Sequence, residues 1–448
     1  MIMADSDINF KIHPLQYQSG SISFTEWCAL LTLALAPLIA HIAAGFPQPS
    51  YLHPRSPKWH ERIALFNPTS VLWRYAAITD RRIRAKDWNK KDMAATNALF
   101  WTSRGWDGSE KMIALSSPYC THLPEHGQIS LFSGEFFKTL VVTLQGMQAI
   151  VALCLSLEGD NSSSDGFITF VGVDQIFFPL AFIGLMRLFC GFWLTNEFAY
   201  STSQGSVVQV ELSRIPKDDG EGRVSLDSLL HDSFHTSETM EERFLPTSCW
   251  ESRVFRMVFI LPLIGFLVMC LLFLVQPGIE TREYTVTSSL VGVFYFILLS
   301  VTVVIFGYYF LQGNTSSTTI PCIASRWYKL YTTILIGIAL AIFILACIET
   351  RRTACGRWTS APYELGDWAA CRDSRRPDVI KIDPITLSEF GIATTYPRTD
   401  SGNRVLPQGE FWVRNFTGTC LGALGSPLVK RVDTLAVEDI VELVHLIG

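Results

Sequence analysis

Asp174 and Arg187 are two charged residues inside a long apolar segment between Asp165 and Glu197, with twelve uncharged residues between them. A charge near the centre of a membrane costs a few kcal/mol, so it usually lines an aqueous path or finds a partner. On a straight helix the two side chains are about 20 Å and about 140° apart, so they cannot pair with each other. Either both extend to opposite headgroup layers, or at least one belongs to a buried polar site.

Polar side chains in other apolar segments complete a candidate intramembrane site. Asp174 and Gln175 can form a cation or proton site with His41 or Gln148, and Arg187 adds a positive charge. Prolines that can kink three of these segments are Pro37, Pro179 and Pro262. Kinked helices with a few buried polar groups occur in transporters and channels. They also occur in inert bundles, so both interpretations stay open.

Two histidine pairs raise the possibility of a metal enzyme. His122 with His126 and His231 with His235 have the four-residue spacing that can place two imidazoles on one helix face. Membrane iron desaturases and hydroxylases resemble this arrangement, but they have more histidines and an HxxHH element, and Pro124 opposes a regular helix here. We therefore predict surface histidines, no metal, no cofactor and no catalytic residues.

Other signatures point away from an enzyme and from nucleic acid. The chain contains no GxSxG, HExxH, P-loop or dinucleotide motif. Its net charge of −5 is acidic, and its basic cluster adjoins the membrane. The function class favoured by the sequence is therefore a transporter-like or channel-like component. A non-catalytic receptor or scaffold is the alternative, and the sequence indicates no substrate and no protein partner.

Six apolar spans must position these residues. The chain is 49% hydrophobic and only 17% charged, with a mean hydropathy of +0.27. Its apolar residues form blocks long enough to cross a hydrocarbon core of about 30 Å. The predicted spans are 26–46, 136–157, 168–193, 255–277, 286–311 and 328–348. The predicted fold is thus an all-α integral membrane protein in contact with the lipid bilayer, in the plasma membrane or a membrane of the secretory pathway.

The distribution of basic residues predicts the orientation. Lys11 is alone before the first span, whereas residues 47–135 contain twelve lysines and arginines. Basic loops favour the cytoplasm, so residues 1–25 are predicted outside and residues 47–135 inside. A second cytoplasmic loop, 194–254, is acidic. The tail 349–448 is then a small external domain, although Arg351 and Arg352 are at its start.

Acceptor triplets and cysteines agree with this orientation. Asn161 and Asn415 begin glycosylation triplets on the external side, whereas Asn314 lies in a cytoplasmic loop and should stay bare. An oxidising exterior permits a disulfide in the tail. The preferred pair is Cys355 with Cys371, which leaves Cys420 over.

The loop 47–135 is predicted to be ordered. Asn67 and Pro68 are a helix-start signal, and a basic amphipathic helix with Trp73 follows. Such a helix suits anionic lipid headgroups, or it packs on the ends of the spans. A second helix is predicted from Asp87 through Phe100.

Several segments of the chain resemble a family of fungal multi-pass membrane proteins of unassigned function. These segments are Asn67 to Lys86, Asp92 to Thr102, Gly105 to Met112 and Glu349 to Ser360. The resemblance extends from the first span to the start of the tail. It implies a similar architecture and a fungal source, and it implies no activity.

Overall fold

A computed structural model of the chain describes residues 9–129, 133–157, 170–201, 243–275, 281–353 and 358–362, and three short strands in the tail. Most of the elements are helical. Among the described residues, four helical stretches are long and apolar enough to cross a membrane: Phe24–Ala43, Trp250–Val275, Val286–Gln312 and Arg326–Glu349. The prediction of a helical membrane protein is therefore confirmed at this level.

The helices and strands are numbered here in chain order. The α-helices are α1 Phe24–Leu38, α2 Trp59–Ile63, α3 Pro68–Arg84, α4 Lys90–Asn97, α5 Lys111–Ser116, α6 Gly134–Leu157, α7 Phe178–Gly184, α8 Trp250–Val275, α9 Val286–Gln312 and α10 Arg326–Glu349. A π-helical turn, Ile39–Ala43, continues α1. The strands are β1 Asn9–Ile12, β2 Pro49–Tyr51, β3 Leu99–Thr102, β4 Gly105–Asp107, β5 Cys120–His122, β6 Ala199–Tyr200, β7 Thr281–Tyr284, β8 Arg351–Arg352, β9 Trp358–Thr359, β10 Lys381–Ile382, β11 Ala393–Tyr396 and β12 Glu410–Val413.

The long helices begin at polar caps that the sequence supplies. The side chains of Ser23, Thr285 and Ser325 each accept a hydrogen bond from a backbone N–H in the first turn of α1, α9 and α10. Such caps satisfy donors that have no partner within the helix. Gly313 ends α9 in the left-handed conformation, with φ of 72°.

Short connections gather at the two ends of the helical bundle. At the first end, β1 pairs in parallel with β7, in the connection between α8 and α9. The backbone N–H of Gln18 donates to the carbonyl of Ile348 near the end of α10. At the second end, Arg256 at the start of α8 donates to the carbonyl of Phe310 at the end of α9. The end of α8, the start of α9 and the end of α10 thus lie at the first end, and the start of α8 and the end of α9 lie at the second end.

Residues 168–193 do not form the single helix that their apolar length predicted. The described part consists of a 3-10 turn at Val173–Gln175, the seven-residue helix α7, and 3-10 turns at Leu185–Phe189 and Gly191–Trp193. Pro179 lies in the first turn of α7, where its missing N–H costs nothing. We call residues 170–193 the broken segment.

The broken segment runs from one end of the bundle to the other. At the first end, the backbone N–H of Val173 donates to Thr350 Oγ1, just after α10. At the second end, Asn97 Nδ2 donates to the carbonyl of Trp193.

Helix α3 is buried against the long helices, so the structure agrees with the alternative in which this helix packs on the spans. Fifteen of its 17 residues are buried, and Arg74, Arg81 and Arg84 are 6%, 0% and 1% exposed. The hydroxyl of Thr69 contacts that of Thr302 at 2.8 Å, ten residues or about 15 Å before the end of α9. Trp73 packs edge to face against Phe306.

The second helix of this loop is shorter than predicted. Asn89 caps the start of α4, because its side chain accepts from the N–H groups of Lys91 and Asp92, and the helix ends at Asn97. Phe100 lies in β3, the central strand of a sheet with β2 and β4. Aromatic residues favour strands, and this preference overrode the helical period.

Several predictions concern residues outside the described part of the chain. These are the glycosylation sites Asn161 and Asn415, the disulfide between Cys355 and Cys371, and most of the acidic loop and the tail. In the described ranges, Cys28, Cys120, Cys190, Cys249, Cys270, Cys322 and Cys347 are free thiols.

Candidate functional site

A buried ion pair joins α6 to the broken segment. Arg187 Nη2 donates to Glu135 Oε2 at 2.6 Å, Nε donates to Thr139 Oγ1 at 2.9 Å, and Nη1 donates to the carbonyl of Ala44 at 2.6 Å. Glu135 is in the first turn of α6, where the helix dipole favours an acid. Thr139 follows one turn later on the same face. The side chain of Arg187 is only 1% exposed, so its charge depends on this acid.

His41 lies next to this ion pair without a partner of its own. It is fully buried, and in the described part of the chain neither ring nitrogen has a hydrogen-bond partner. His41 is in the π-helical turn after α1, three residues before the Ala44 carbonyl that binds Arg187. Gly184 of α7 lies beside it, since an added Cβ there would be in van der Waals contact with His41 Nδ1 at 3.7 Å. Turns of this type are frequent at functional sites.

Arg74 extends the polar surroundings toward α3. Its guanidinium donates to the carbonyls of Gly45 and Asn97 at 3.1 and 3.0 Å. Gly45, Ser70 and Arg74 line a cavity of about 20 Å³, which is about the size that one water needs. Tyr75, also on α3, places its hydroxyl 3.5 Å from Arg187 Nη1. We call His41, Tyr75, Glu135, Thr139 and Arg187 the polar centre.

A second group of buried charges lies at the C-terminal end of α3. Asp80 Oδ2 accepts from Arg84 Nε at 2.9 Å and from Thr315 Oγ1 at 2.6 Å, and Asp80 Oδ1 accepts from the Ser252 hydroxyl. Arg84 also pairs with Glu110. These contacts hold α3 to the start of α8 and to the loop after α9. We call Asp80, Arg81, Arg84, Glu110, Ser252 and Thr315 the inner network.

Arg81 is the most buried cation of the inner network. Its guanidinium donates to the carbonyls of Gly108 and Ser316 at 2.6 and 2.8 Å. Burial lowers the pKa of Arg81 to about 10, so it stays charged at neutral pH. Sequence reasoning missed this network, although Asp80 and Arg84 have the four-residue spacing of a helical ion pair.

The predicted intramembrane residues do not form one site. His41 and Arg187 come together in the polar centre. Asp174 lies at the first end of the bundle, where its Oδ1 is buried with no hydrogen bond in the described part. Gln175 is beside it and half-buried, and Gln148 is exposed on the outer surface of α6. The structure thus divides the predicted set between two ends and a surface.

The histidine pairs show no metal-binding geometry where they are described. His122 is exposed in β5, and His126 is exposed in the loop that follows. His231 and His235 lie outside the described residues. Across the described ranges, no group of three or more His, Cys, Asp or Glu side chains could hold a metal.

The glycines of residues 105–108 have a structural explanation. Gly105 has φ of 107°, in the left-handed region. Gly108 packs so closely on the loop after α9 that an added Cβ would lie 2.2 Å from Thr318 Oγ1. The carbonyl of Gly108 is also the acceptor for Arg81. This motif therefore positions the inner network.

Comparisons of the chain with protein families, curated proteins and solved structures give no match. The resemblance to a fungal membrane family stays a prediction.

Proposed function

We propose that the chain is a six-span transporter-like protein. Its polar centre carries protons across the plasma membrane or across a membrane of the secretory pathway. The observation that carries this proposal is the broken segment, which places Arg187 beside a histidine with no hydrogen-bond partner in the described chain. Discontinuous helices that present polar groups inside the bundle are typical of transporters. A neutral imidazole has one nitrogen that carries a proton and one that can accept a proton.

The four apolar helices, α6 and the broken segment are the six proposed crossings. The contacts of Val173 and Asn97 at opposite ends support a crossing by the broken segment. The first end is then external, with Asn415 glycosylated and Asn314 bare. Replacing Asn415 by Gln should remove a glycosidase-sensitive shift in gel mobility, and a glycan on Asn314 would reverse the orientation.

Proton transport can be measured with purified protein in liposomes that contain a pH-sensitive dye. With the membrane potential clamped, wild-type protein should dissipate an imposed pH gradient, and His41→Leu should slow this at least tenfold. His122→Leu, which removes an exposed histidine, is the matched control and should transport like wild type. Equal rates for His41→Leu and wild type would reject the role of His41.

A receptor or scaffold is the second candidate, and the inner network favours it. The Asp80 carboxylate accepts three hydrogen bonds, and saturated buried ions of this kind rigidify a fold. Wild-type protein that inserts and folds but moves no protons would favour this alternative.

Although α3 is buried, other basic residues of the loop 47–135 are exposed and can bind anionic lipid headgroups. Lys58 immediately precedes α2, Arg62 is in its last turn, and Lys90 and Lys91 begin α4. Exposed Trp59 adds an aromatic ring that suits the membrane interface. We expect binding to vesicles with phosphatidylserine to weaken when Lys58 and Arg62 are both replaced by Gln.

A further inference from the structure

The exposed face of α6 carries an amide among apolar side chains. Phe137, Val141, Leu144 and Val151 are 52%, 49%, 58% and 54% exposed. Together with exposed Gln148 they recur at spacings of four, three, four and three residues. The opposite face is packed, since Val142 is buried and Gly146 lies against Leu185 of the broken segment. About half of each of these apolar side chains is therefore exposed among the described residues, which leaves this surface of α6 available to another helix.

The four-three spacing is that of a coiled-coil seam. When apolar residues recur every 3.5 positions, they form a stripe that interlocks with the same stripe on another helix. In this repeat Val141 and Gln148 occupy the a-type positions, and Leu144 and Val151 occupy the d-type positions. A single polar residue at an a-type position specifies the register and the number of helices.

Gln148 lies near the middle of α6. The helix runs from Gly134 to Leu157, so Gln148 is about 4 Å from its midpoint at 1.5 Å per residue. In the hydrocarbon core no water is present to bond the amide, and an amide without a hydrogen-bond partner there is strongly unfavourable. Polar side chains at such positions associate helices by hydrogen bonding between them.

We propose that α6 packs in parallel against α6 of a second copy of this chain, with the two Gln148 side chains hydrogen bonded across a two-fold axis. An amide has both donors and an acceptor, so two identical amides satisfy each other. The same patch on both subunits is also what a two-fold interface requires. This inference rests on α6 crossing the membrane, as proposed above.

The oligomeric state in liposomes tests the dimer. Wild-type protein, labelled with two dyes and diluted in lipid, should show energy transfer that falls as the protein-to-lipid ratio falls. Gln148→Leu should raise the dissociation constant about five- to thirtyfold, as expected for a lost interhelical hydrogen bond. Gln148→Asn keeps an amide and should restore most of the affinity. Met147→Leu changes an exposed residue outside the seam and should leave the affinity unchanged.

Cysteine cross-linking tests the geometry. Oxidation of Gln148→Cys should give a covalent dimer, whereas Val268→Cys on the exposed face of α8 should not. Monomeric wild-type protein, or equal affinity of wild type and Gln148→Leu, would overturn the dimer. If the Gln148→Cys thiol is also protected from a membrane-impermeant maleimide, only lipid covers this face and the topology stands. Rapid labelling would instead overturn both the dimer and the membrane crossing of α6.

Discussion

The inner network and the polar centre both bury an ion pair, yet they differ in how completely their polar atoms are bonded. In the inner network, Asp80 accepts from Arg84, Ser252 and Thr315. In the polar centre, Arg187 is bonded to Glu135, but in the described chain both ring nitrogens of His41 have no partner. The Asp80 carboxylate is fully bonded, which supports stability, although Arg81 Nε in the same network also has no hydrogen-bond partner among the described residues. A buried polar group without a partner is costly, and His41 lacks a partner at both of its nitrogens. We therefore attribute the inner network to the fold, and the proposed proton transport rests on His41.

The largest predicted effect is that of Asp80→Ala. Removing this carboxylate leaves Glu110 as the remaining acidic partner of the buried Arg84 cation. The hydroxyls of Ser252 and Thr315 also lose their hydrogen-bond acceptor. Breaking a buried ion pair in this way costs about 3–5 kcal/mol. Unfolding in mixed micelles with a denaturing detergent should show the loss. A cost below about 1 kcal/mol would mean that the inner network contributes little to stability.

Gly108→Ala should perturb the same network from its backbone side. The added Cβ would meet Thr318 Oγ1 at 2.2 Å, and overpacking of this kind costs about 1–3 kcal/mol. Gly265→Ala on α8 is the matched control, because nothing lies within 4 Å of its added Cβ. The control should be neutral or slightly stabilising. If both variants unfold alike, the close approach of Gly108 is not needed.

His41→Leu should leave stability within about 1 kcal/mol of wild type, because a buried polar group without a partner is replaced by an apolar one of similar size. Transport should be lost at the same time. The pair of results, measured by detergent unfolding and by proton flux, separates His41 from Asp80. A cost of 3 kcal/mol or more would instead place His41 with the structural residues.

The smallest effect on stability is expected at an exposed ion pair at the first end of the bundle. This effect can be compared with the effects of the ion pairs buried in the inner network and the polar centre. Hydrogen bonds from Lys11 and His13 to Glu283 hold the pKa of that carboxyl below its usual value of 4.5. An acid with a lowered pKa adds stability above the usual value and loses it as pH falls through the lower folded pKa. The pair is partly exposed, so the gain is at most about 1 kcal/mol.

Comparison of wild type with Glu283→Gln measures this gain. The difference in free energy of unfolding should be present at pH 7 and should shrink as pH falls below 4.5. A difference that grows on acidification would contradict the assigned sign.

Most of the apolar helices could be predicted because lipid-facing and core-facing residues are both apolar. The predicted spans 286–311 and 328–348 lie within two residues of α9 and α10. The start of α3 was also predicted, since the Asn67 side chain accepts from the Thr69 N–H. In these cases local signals coincide with the tertiary structure.

The burial of α3 could not be predicted from its composition. Arg74, Arg81 and Arg84 are typical of a solvated or headgroup-facing surface. Their guanidiniums are satisfied by the carbonyls of Gly45, Asn97, Gly108 and Ser316 and by the acids Asp80 and Glu110. Except for Asp80, which is four residues before Arg84, these partners are 23 to 235 residues away and leave no local pattern. For the same reason, the sequence analysis placed Asp174 and Gln148 in one intramembrane site with His41, although the structure places them apart.

The place of α3 has a consequence for how the protein is made. The Thr69 hydroxyl bonds to Thr302, which is 233 residues later in the chain. At a synthesis rate of about 5–20 residues per second, the ribosome needs roughly 12–47 s to reach it. During that interval Thr69 and Trp73 lack their contacts with Thr302 and Phe306 of α9, so α3 cannot yet complete its packing. Assembly of the bundle is therefore late, and it closes around a helix that was translated early.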